Sequence, residues 1–269
     1  PILPVLTISS LDEAVRFVND RDKPLALYVF SNDADRAQTV IDGTSSGGGC
    51  VNDCVMHLAP HELPFGGVGP IGVMCPYLVQ VRDLDLPPGF EPVAIAGRTL
   101  GMFGYIEYRP PSPLVYGELL WMPATVRVRR SDGRRVRGHF VSRMYVDHED
   151  SLAAGRELWH LPKSLARFDR RERGVDVEAD DGTRLSFDFD GVGPALHLRS
   201  RVSTLQPAGN GVVRFSAGFS GIMRPARTRV TRFESPHPGW AAFESARRAL
   251  GLGVWLERFE STMLAPEDL

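Results

Sequence analysis

The chain has 269 residues, 43% hydrophobic and 24% charged, with a net charge of −2. Such a balance suits a folded soluble protein with one large or two modest domains. It excludes a global field that would recruit nucleic acid or an anionic membrane, and no apolar run approaches the roughly 20 residues of a membrane-spanning helix. Three scattered cysteines, Cys50, Cys54 and Cys75, cannot build a disulfide framework and fit a reducing, cytoplasmic setting. Pro1 in place of Met reads as a fragment or a processed product.

Residues 1 to 72 read as alternating strands and helices. Ile2 to Ile8 is a short β-rich run. Ser10-Leu11-Asp12-Glu13 has the spacing of a capping box, and Leu11, Val15 and Val18 then recur at helical spacing. Leu25 to Phe30 predicts a second strand, Asp33 to Asp42 a second helix ended by Gly43, and Cys50-Val51-Asn52 a third strand. Pro60 to Gly72 is loop-like.

Four of these stretches carry a resemblance: Pro1-Ile2-Leu3-Pro4-Val5, Leu11-Asp12-Glu13-Ala14, Cys50-Val51-Asn52-Asp53-Cys54, and Leu63-Pro64-Phe65-Gly66-Gly67-Val68-Gly69-Pro70. Residues 1–72 resemble the C-terminal end of the NAD-dependent aldehyde dehydrogenase family. In that family the nucleophilic cysteine and most of the cofactor site lie upstream. The resemblance therefore implies a piece of a catalytic domain with its oligomerisation strand, with no cofactor held here, and not a working dehydrogenase.

From Val73 the pattern changes to short apolar runs parted by turn residues. Val93–Ala96, Leu119–Met122, Thr125–Val128, Phe140–Val146, Gly174–Glu178, Leu185–Phe189, Ala195–Val202 and Val212–Phe219 predict strands. Ser131-Asp132-Gly133, Asp180-Asp181-Gly182 and Ala208-Gly209-Asn210-Gly211 predict hairpin turns. Trp240 to Leu250 is the one helix this pattern predicts. Many strands with few helices predict a mainly β domain, an antiparallel barrel or sandwich.

The chemistry-bearing stretch is Gly155-Arg156-Glu157-Leu158-Trp159-His160-Leu161-Pro162-Lys163-Ser164. Of 31 basic residues only Lys23 and Lys163 are lysines. A lysine in so arginine-rich a chain hints that an amine is wanted, because an amine can be neutralised and used as a nucleophile. The stretch resembles the active-site segment of the acetoacetate decarboxylase family, and Tyr116-Gly117-Glu118 resembles that family's Tyr-x-Glu strand. The likeness runs from about Pro88 to Pro266. It implies an α+β, mainly β fold, barrel-like and antiparallel, over residues 73–269, preceded by the short α/β fragment. It also implies a lyase acting on a small keto acid through a Schiff base on Lys163, with Glu118 facing the lysine.

The chemistry accounts for the residue types. A neutral amine adds to a ketone and loses water; the iminium then accepts the electron pair released when a neighbouring carboxylate leaves as CO2. Neutrality at neutral pH requires burial or a nearby cation, and acetoacetate decarboxylase is itself the standing example of such a lysine. Lys163 and Glu118 are the expected catalytic residues, with Tyr116 and His160 expected at the substrate. Three departures stand out. Ser164 replaces the family's second lysine, so burial, an arginine or His160 must serve instead. The family's second carboxylate lacks a counterpart, Glu107 lying out of register and Phe103 at the matching spacing. The family's N-terminal arginine has no match. Related Schiff-base aldol and dehydration chemistry needs the same lysine. The expected partners are a small keto acid and, left open, a second copy of the chain.

The competing reading is a non-catalytic ligand-binding or assembly protein, or an inactive fusion carrying an aldehyde dehydrogenase remnant. Other motifs lack their context. Gly67-Val68-Gly69-Pro70-Ile71-Gly72 matches a dinucleotide-binding pattern without its strand and helix. Gly43-Thr44-Ser45-Ser46-Gly47 matches a nucleophile elbow preceded by a helix. His57 and His61 have metal-ligand spacing broken by Pro60. The arginines of 127–137 read as a charged edge strand.

Overall fold

The helical and strand patterns at the N-terminus resolve into a small α/β unit in the computed structural model. The structure describes residues 5–269 apart from 22, 25, 47, 53–65, 69–70, 111, 113, 131, 210, 247–251 and 264–265. Helix α1 is Leu11–Asn19. The Ser10 hydroxyl accepts from the Glu13 N–H at 3.2 Å, while the Glu13 carboxylate accepts from the backbone of Ser9 rather than Ser10. Strands β1 (Leu27–Val29) and β2 (Gly49–Val51) run parallel, joined through α2 (Ala34–Gly43), which Asp33 caps. The β-rich run forms no regular structure over residues 5–8. Cys54, His57 and His61 lie outside the described residues, as do Gly69 and Pro70 of the glycine motif; the stretch read as loop-like up to Gly72 is instead strand at Gly66–Val68 and from Ile71 onward.

The rest is β3 (Gly66–Val68), β4 (Ile71–Gln80), β5 (Glu91–Pro92), β6 (Ala94–Ile95), β7 (Arg98–Tyr108), β8 (Tyr116–Met122), β9 (Ala124–Arg129), β10 (Arg135–Phe140) and β11 (Arg143–Val146). Helix α3 (Glu149–Trp159) follows. Then come β12 (Lys163–Arg171), β13 (Gly174–Ala179), β14 (Arg184–Gly191), β15 (Leu196–Ala208), β16 (Gly211–Glu234), α4 (Ala241–Ala246), β17 (Leu252–Met263) and β18 (Glu267–Asp268). The sequence-predicted runs in this half fall on strands, except that Phe140–Val146 is split between the end of β10 and β11 and Val93–Ala96 is strand only at Ala94–Ile95. The turns fall where glycine relieves a left-handed backbone, with Gly133 at φ 82° and Gly182 at φ 86°. Helix α4 covers only the start of the run predicted to reach Leu250; residues 247–250 lie outside the described residues.

Strands β3 to β18 form one 16-stranded sheet. Its path β17-β4-β7-β8-β11-β12-β13-β14-β16 closes because β16 also pairs with β17. The antiparallel barrel anticipated from the sequence needs correcting in two respects. The sheet is mixed, since β11–β12 and β10–β15 are parallel, and a branch of β15, β10, β9 and β5 leaves the circuit. The β11–β12 pair is parallel because α3 crosses between the strands, a connection a parallel pair requires. Strand β16 spans 24 residues; its early part pairs with β15 and its late part with β14, with a register shift opposite Ser186 and Phe187.

Strand β8 is buried at every position. Leu119 and Trp121 join one apolar cluster with Phe103, Tyr105, Phe187, Trp240 and Phe243. Tyr116, Leu120 and Met122 face the opposite way, into a second cluster with Ile106, Met144, Leu161 and Phe259. Cys75 is in the first cluster, where burial pushes its thiol up to about 12 and leaves it a packing residue. Among the described residues, no helix is long and apolar enough to cross a membrane.

Candidate active site

Helix α3 and the start of β12 place Lys163. The helix ends at His160, which takes a left-handed conformation (φ 50°). The Leu161 N–H then donates back to the Gly155 carbonyl at 2.9 Å, and Pro162 prevents further helix. The chain reverses onto β11, and Lys163 pairs with Met144. Its stem passes directly across α3 at Gly155: a Cβ there would stand 2.3 Å from Lys163 Cδ and 2.5 Å from Cε. Arg156 Nε donates to the Lys163 carbonyl at 2.8 Å and holds the strand to the helix. The Gly-Arg spacing before Pro-Lys thus has a steric and a hydrogen-bonding cause.

Lys163 is 3% exposed and Glu118 6%. Lys163 Nζ donates to Glu118 Oε2 at 2.9 Å and to Ser151 Oγ, in the first turn of α3, at 3.0 Å. The Tyr116 ring lies 5.8 Å from Nζ and stacks on Tyr108 with centroids 4.5 Å apart. Burial, reinforced by the Glu118 charge, holds the Tyr116 hydroxyl above its usual pKa, so it stays protonated, bonded to Ser151 and Tyr108. The structure therefore brings Lys163, Glu118 and Tyr116 together, although Tyr108, and not Tyr116, lines the cavity described below. His160 stands apart: its ring is exposed, and it does not line the cavity described below. Ser151, which touches the amine, and Thr204, on the cavity wall described below, were not singled out in the sequence, whereas Gly155 was, as the start of the Gly-Arg-Glu run.

The cavity lies between the face of β4, β7, β8 and β11 that carries the second cluster and the facing strands β15 and β16. It measures about 70 Å³. Its walls are apolar, including Met74, Ile106, Leu120, Met144, Val202 and Phe219, and Trp159 of α3 packs on Phe215 beside it. Lys163 and Glu118 are its charged lining residues.

Neither candidate for the family's second carboxylate enters this cavity. Glu107 follows Ile106 on β7 and points to the other face, pairing with Arg109 at 3.0 Å and Arg170 at 3.3 Å. Phe103 belongs to the first cluster. Strand alternation likewise turns Ser164 away from Lys163. Ser164 accepts from Arg143 at 3.3 Å, and Arg143 is held by Asp181 at 2.6 Å. Neither Ser164 nor this arginine replaces the family's second lysine beside the amine.

That outer network has a pH signature. Burial would raise Asp181, but hydrogen bonds from Tyr145 and Thr183 and the Arg143 charge outweigh it and hold the carboxyl below its usual value. A depressed carboxylate contributes stability above its unfolded pKa of about 3.9 and loses it as pH falls through the folded value. Asp181→Asn should therefore lower stability at pH 6 and flatten the loss as pH falls below about 4, which urea midpoints along the acid limb would check. An unchanged acid limb would remove Asp181 from this role.

His160 allows a separate test. A non-glycine residue in the left-handed region costs about 1–2 kcal/mol. His160→Gly should raise stability by up to about 1 kcal/mol and leave the reactivity of Lys163 intact. A substrate contact at His160 would instead show as lost reactivity.

A buried lysine–carboxylate pair on the wall of a small, mainly apolar cavity, set in a curled mixed sheet, defines a class of site built around an amine. The sequence model of the acetoacetate decarboxylase family matches residues 76–236, and the chain belongs to that family. A solved acetoacetate decarboxylase is similar over 79% of this chain and 92% of its own, at 14% identity and a TM-score of 0.51. An enduracididine biosynthesis enzyme, complexed with the condensation product of pyruvate and imidazole 4-carboxaldehyde, is similar over 76% of this chain and 88% of its own. Its identity is 16% and its TM-score 0.51. At such identities the likeness is one of fold.

The aldehyde dehydrogenase family model matches residues 1–73. The 4,4'-diaponeurosporen-aldehyde dehydrogenase of Staphylococcus aureus is 58% identical over 73 residues, 27% of this chain and 16% of that protein. Aldehyde dehydrogenase family 3 member A2 of Mus musculus is 55% identical over the same length, 15% of that protein. The chain thus spans about one-sixth of these relatives.

Proposed function

We propose that the protein is a Schiff-base enzyme of the acetoacetate decarboxylase type, a lyase acting on a small carbonyl compound through Lys163. The observation that carries this reading is the buried Lys163 amine on the wall of a small apolar cavity, with Glu118 Oε2 at 2.9 Å and Ser151 Oγ at 3.0 Å. Glu118 is placed to take the proton that leaves the ammonium. The neutral amine adds to the carbonyl carbon, the carbinolamine loses water, and the iminium nitrogen accepts the electron pair of the bond broken next to the former carbonyl. The resulting enamine takes a proton at carbon, and water releases the product and restores the amine. Glu118 and Ser151 flank the nitrogen throughout and can carry those protons. Apolar walls keep bulk water from the iminium.

For a keto acid the bond broken is the one to the carboxylate, and CO2 leaves. For a hydroxy carbonyl compound the same sink serves carbon–carbon cleavage or loss of water.

Cyanoborohydride trapping with a panel of small ketones, aldehydes and keto acids tests the reading. Peptide mapping should find a reduced adduct on the segment carrying Lys163, absent in Lys163→Arg. A folded protein that gives no adduct with any of these would end it.

A further inference from the structure

Ser151 Oγ accepts from Lys163 Nζ at 3.0 Å. A hydroxyl has one proton to donate as well as lone pairs to accept with. With a lone pair engaged by Nζ, the Ser151 proton needs an acceptor of its own, because Ser151 is buried and a dry hydroxyl forfeits its hydration. The Tyr116 hydroxyl supplies one, being bonded to Ser151 on one side and to Tyr108 on the other. Both tyrosines are buried, and their rings stack with centroids 4.5 Å apart. Tyr116 does not line the cavity, whereas Tyr108 does. The tyrosine expected at the substrate thus reaches the amine through Ser151.

This arrangement matters most at the nitrogen. An ammonium offers only protons, so Ser151 has to accept from it. Once Glu118 has taken a proton, the neutral amine carries a lone pair. A hydroxyl beside it then either accepts an N–H or donates to that lone pair. The second arrangement ties up the electrons that must attack the carbonyl carbon. A Ser151 proton already given to Tyr116 is not free to do so.

We propose that Tyr116 is a positioning residue: its oxygen takes the Ser151 hydroxyl proton, so that Ser151 turns a lone pair and not a proton to the Lys163 nitrogen when the amine attacks. This deepens the Schiff-base reading and rests on it. Glu118 receives the proton on one side of the nitrogen, and Ser151, aligned by Tyr116, steers an N–H on the other.

The experiment uses the full chain and the one of acetone, butan-2-one and acetoacetate that labels Lys163 at the lowest concentration. Cyanoborohydride is raised until its concentration no longer affects the rate, so that imine formation limits trapping. The limiting rate and the half-saturating probe concentration are read separately. Tyr116→Phe keeps the ring and removes the oxygen. It should lower the limiting rate roughly three- to tenfold, the worth of one buried hydrogen bond, and leave the half-saturating concentration unchanged. Ser151→Ala should also lower the limiting rate, and on that background Tyr116→Phe should change nothing further. If Ser151→Ala fails to fold, Ser151→Cys takes its place, since a thiol is a weak donor and a weak acceptor.

An unchanged limiting rate in Tyr116→Phe would overturn the proposal. So would a raised half-saturating concentration, which would make Tyr116 a substrate contact. A Tyr116→Phe effect as large without the Ser151 hydroxyl as with it would overturn it too, because Tyr116 would then act by another route. Each of these results would leave the Schiff-base reading standing; no adduct on the parent chain with any of the three probes would reject both.

Discussion

Lys163→Met should cost the fold about 3–5 kcal/mol, and the double change Lys163→Met, Glu118→Leu should recover most of that loss. The pair is almost fully removed from solvent, at 3% and 8% side-chain exposure. Met keeps the unbranched stem that threads past Gly155 but strips Glu118 of its charge partner. A buried carboxylate without a counter-ion is the expensive state. A hydrophobic pair of similar volume is commonly neutral or better, because desolvating two ions consumes most of their attraction. Both variants should lose the trapped adduct completely. Denaturant midpoints with unchanged slopes would give the stabilities. If the single change costs less than about 1 kcal/mol, Glu118 has another source of compensation. If the double variant is as unstable as the single one, the pair holds the fold together and is not there for its reactivity.

Gly155→Ala should cripple the site while barely touching the helix that carries it. In a helix interior alanine is better than glycine by about 1 kcal/mol, so propensity alone favours the change. The new methyl, however, would stand 2.3 Å from Lys163 Cδ, the middle of a buried stem that cannot swing away. Either α3 or the lysine must shift, at an overpacking cost of about 1–3 kcal/mol. A displacement on the order of 1 Å from Glu118 and Ser151 should slow adduct formation by about 10²-fold. The rate of cyanoborohydride trapping at saturating ketone measures it. A rate near that of the parent protein would mean that the stem has slack the packing does not suggest.

These two residues illustrate what the sequence made legible. Lys163 stands out because lysine is so scarce and because Pro162 and the Gly-Arg spacing frame it. Glu118 stands out as a charge in an apolar run. Helix α3 did not: Gly155 interrupts its propensity, and the segment reads as a motif before it reads as a helix. The glycine that hides the helix is the one the lysine stem needs.

Ser151 and Thr204 were illegible for a different reason. A serine in a first helical turn and a threonine in a strand are ordinary, and only the fold shows one touching Nζ and the other facing the cavity. His160 drew attention as a titratable ring near the lysine, yet its place is fixed by backbone conformation. The mixed sheet was hidden too, since strand direction depends on the α3 crossover and not on alternation within any strand.

Strand β4 runs without a break from Ile71 to Gln80, while the two family matches end and begin at residues 73 and 76. Gly72, on the aldehyde dehydrogenase side, pairs with Ile106 of β7 and Leu256 of β17, and a Cβ on it would press Leu256 at 2.9 Å and the Tyr105 carbonyl at 3.4 Å. Val73, beside it, is wholly buried. Residues that align with one ancestry thus lie in a strand ladder of the other. Pruning the chain at the family border would not release a tidy module. It would sever β4 within its ladder with β7 and β17.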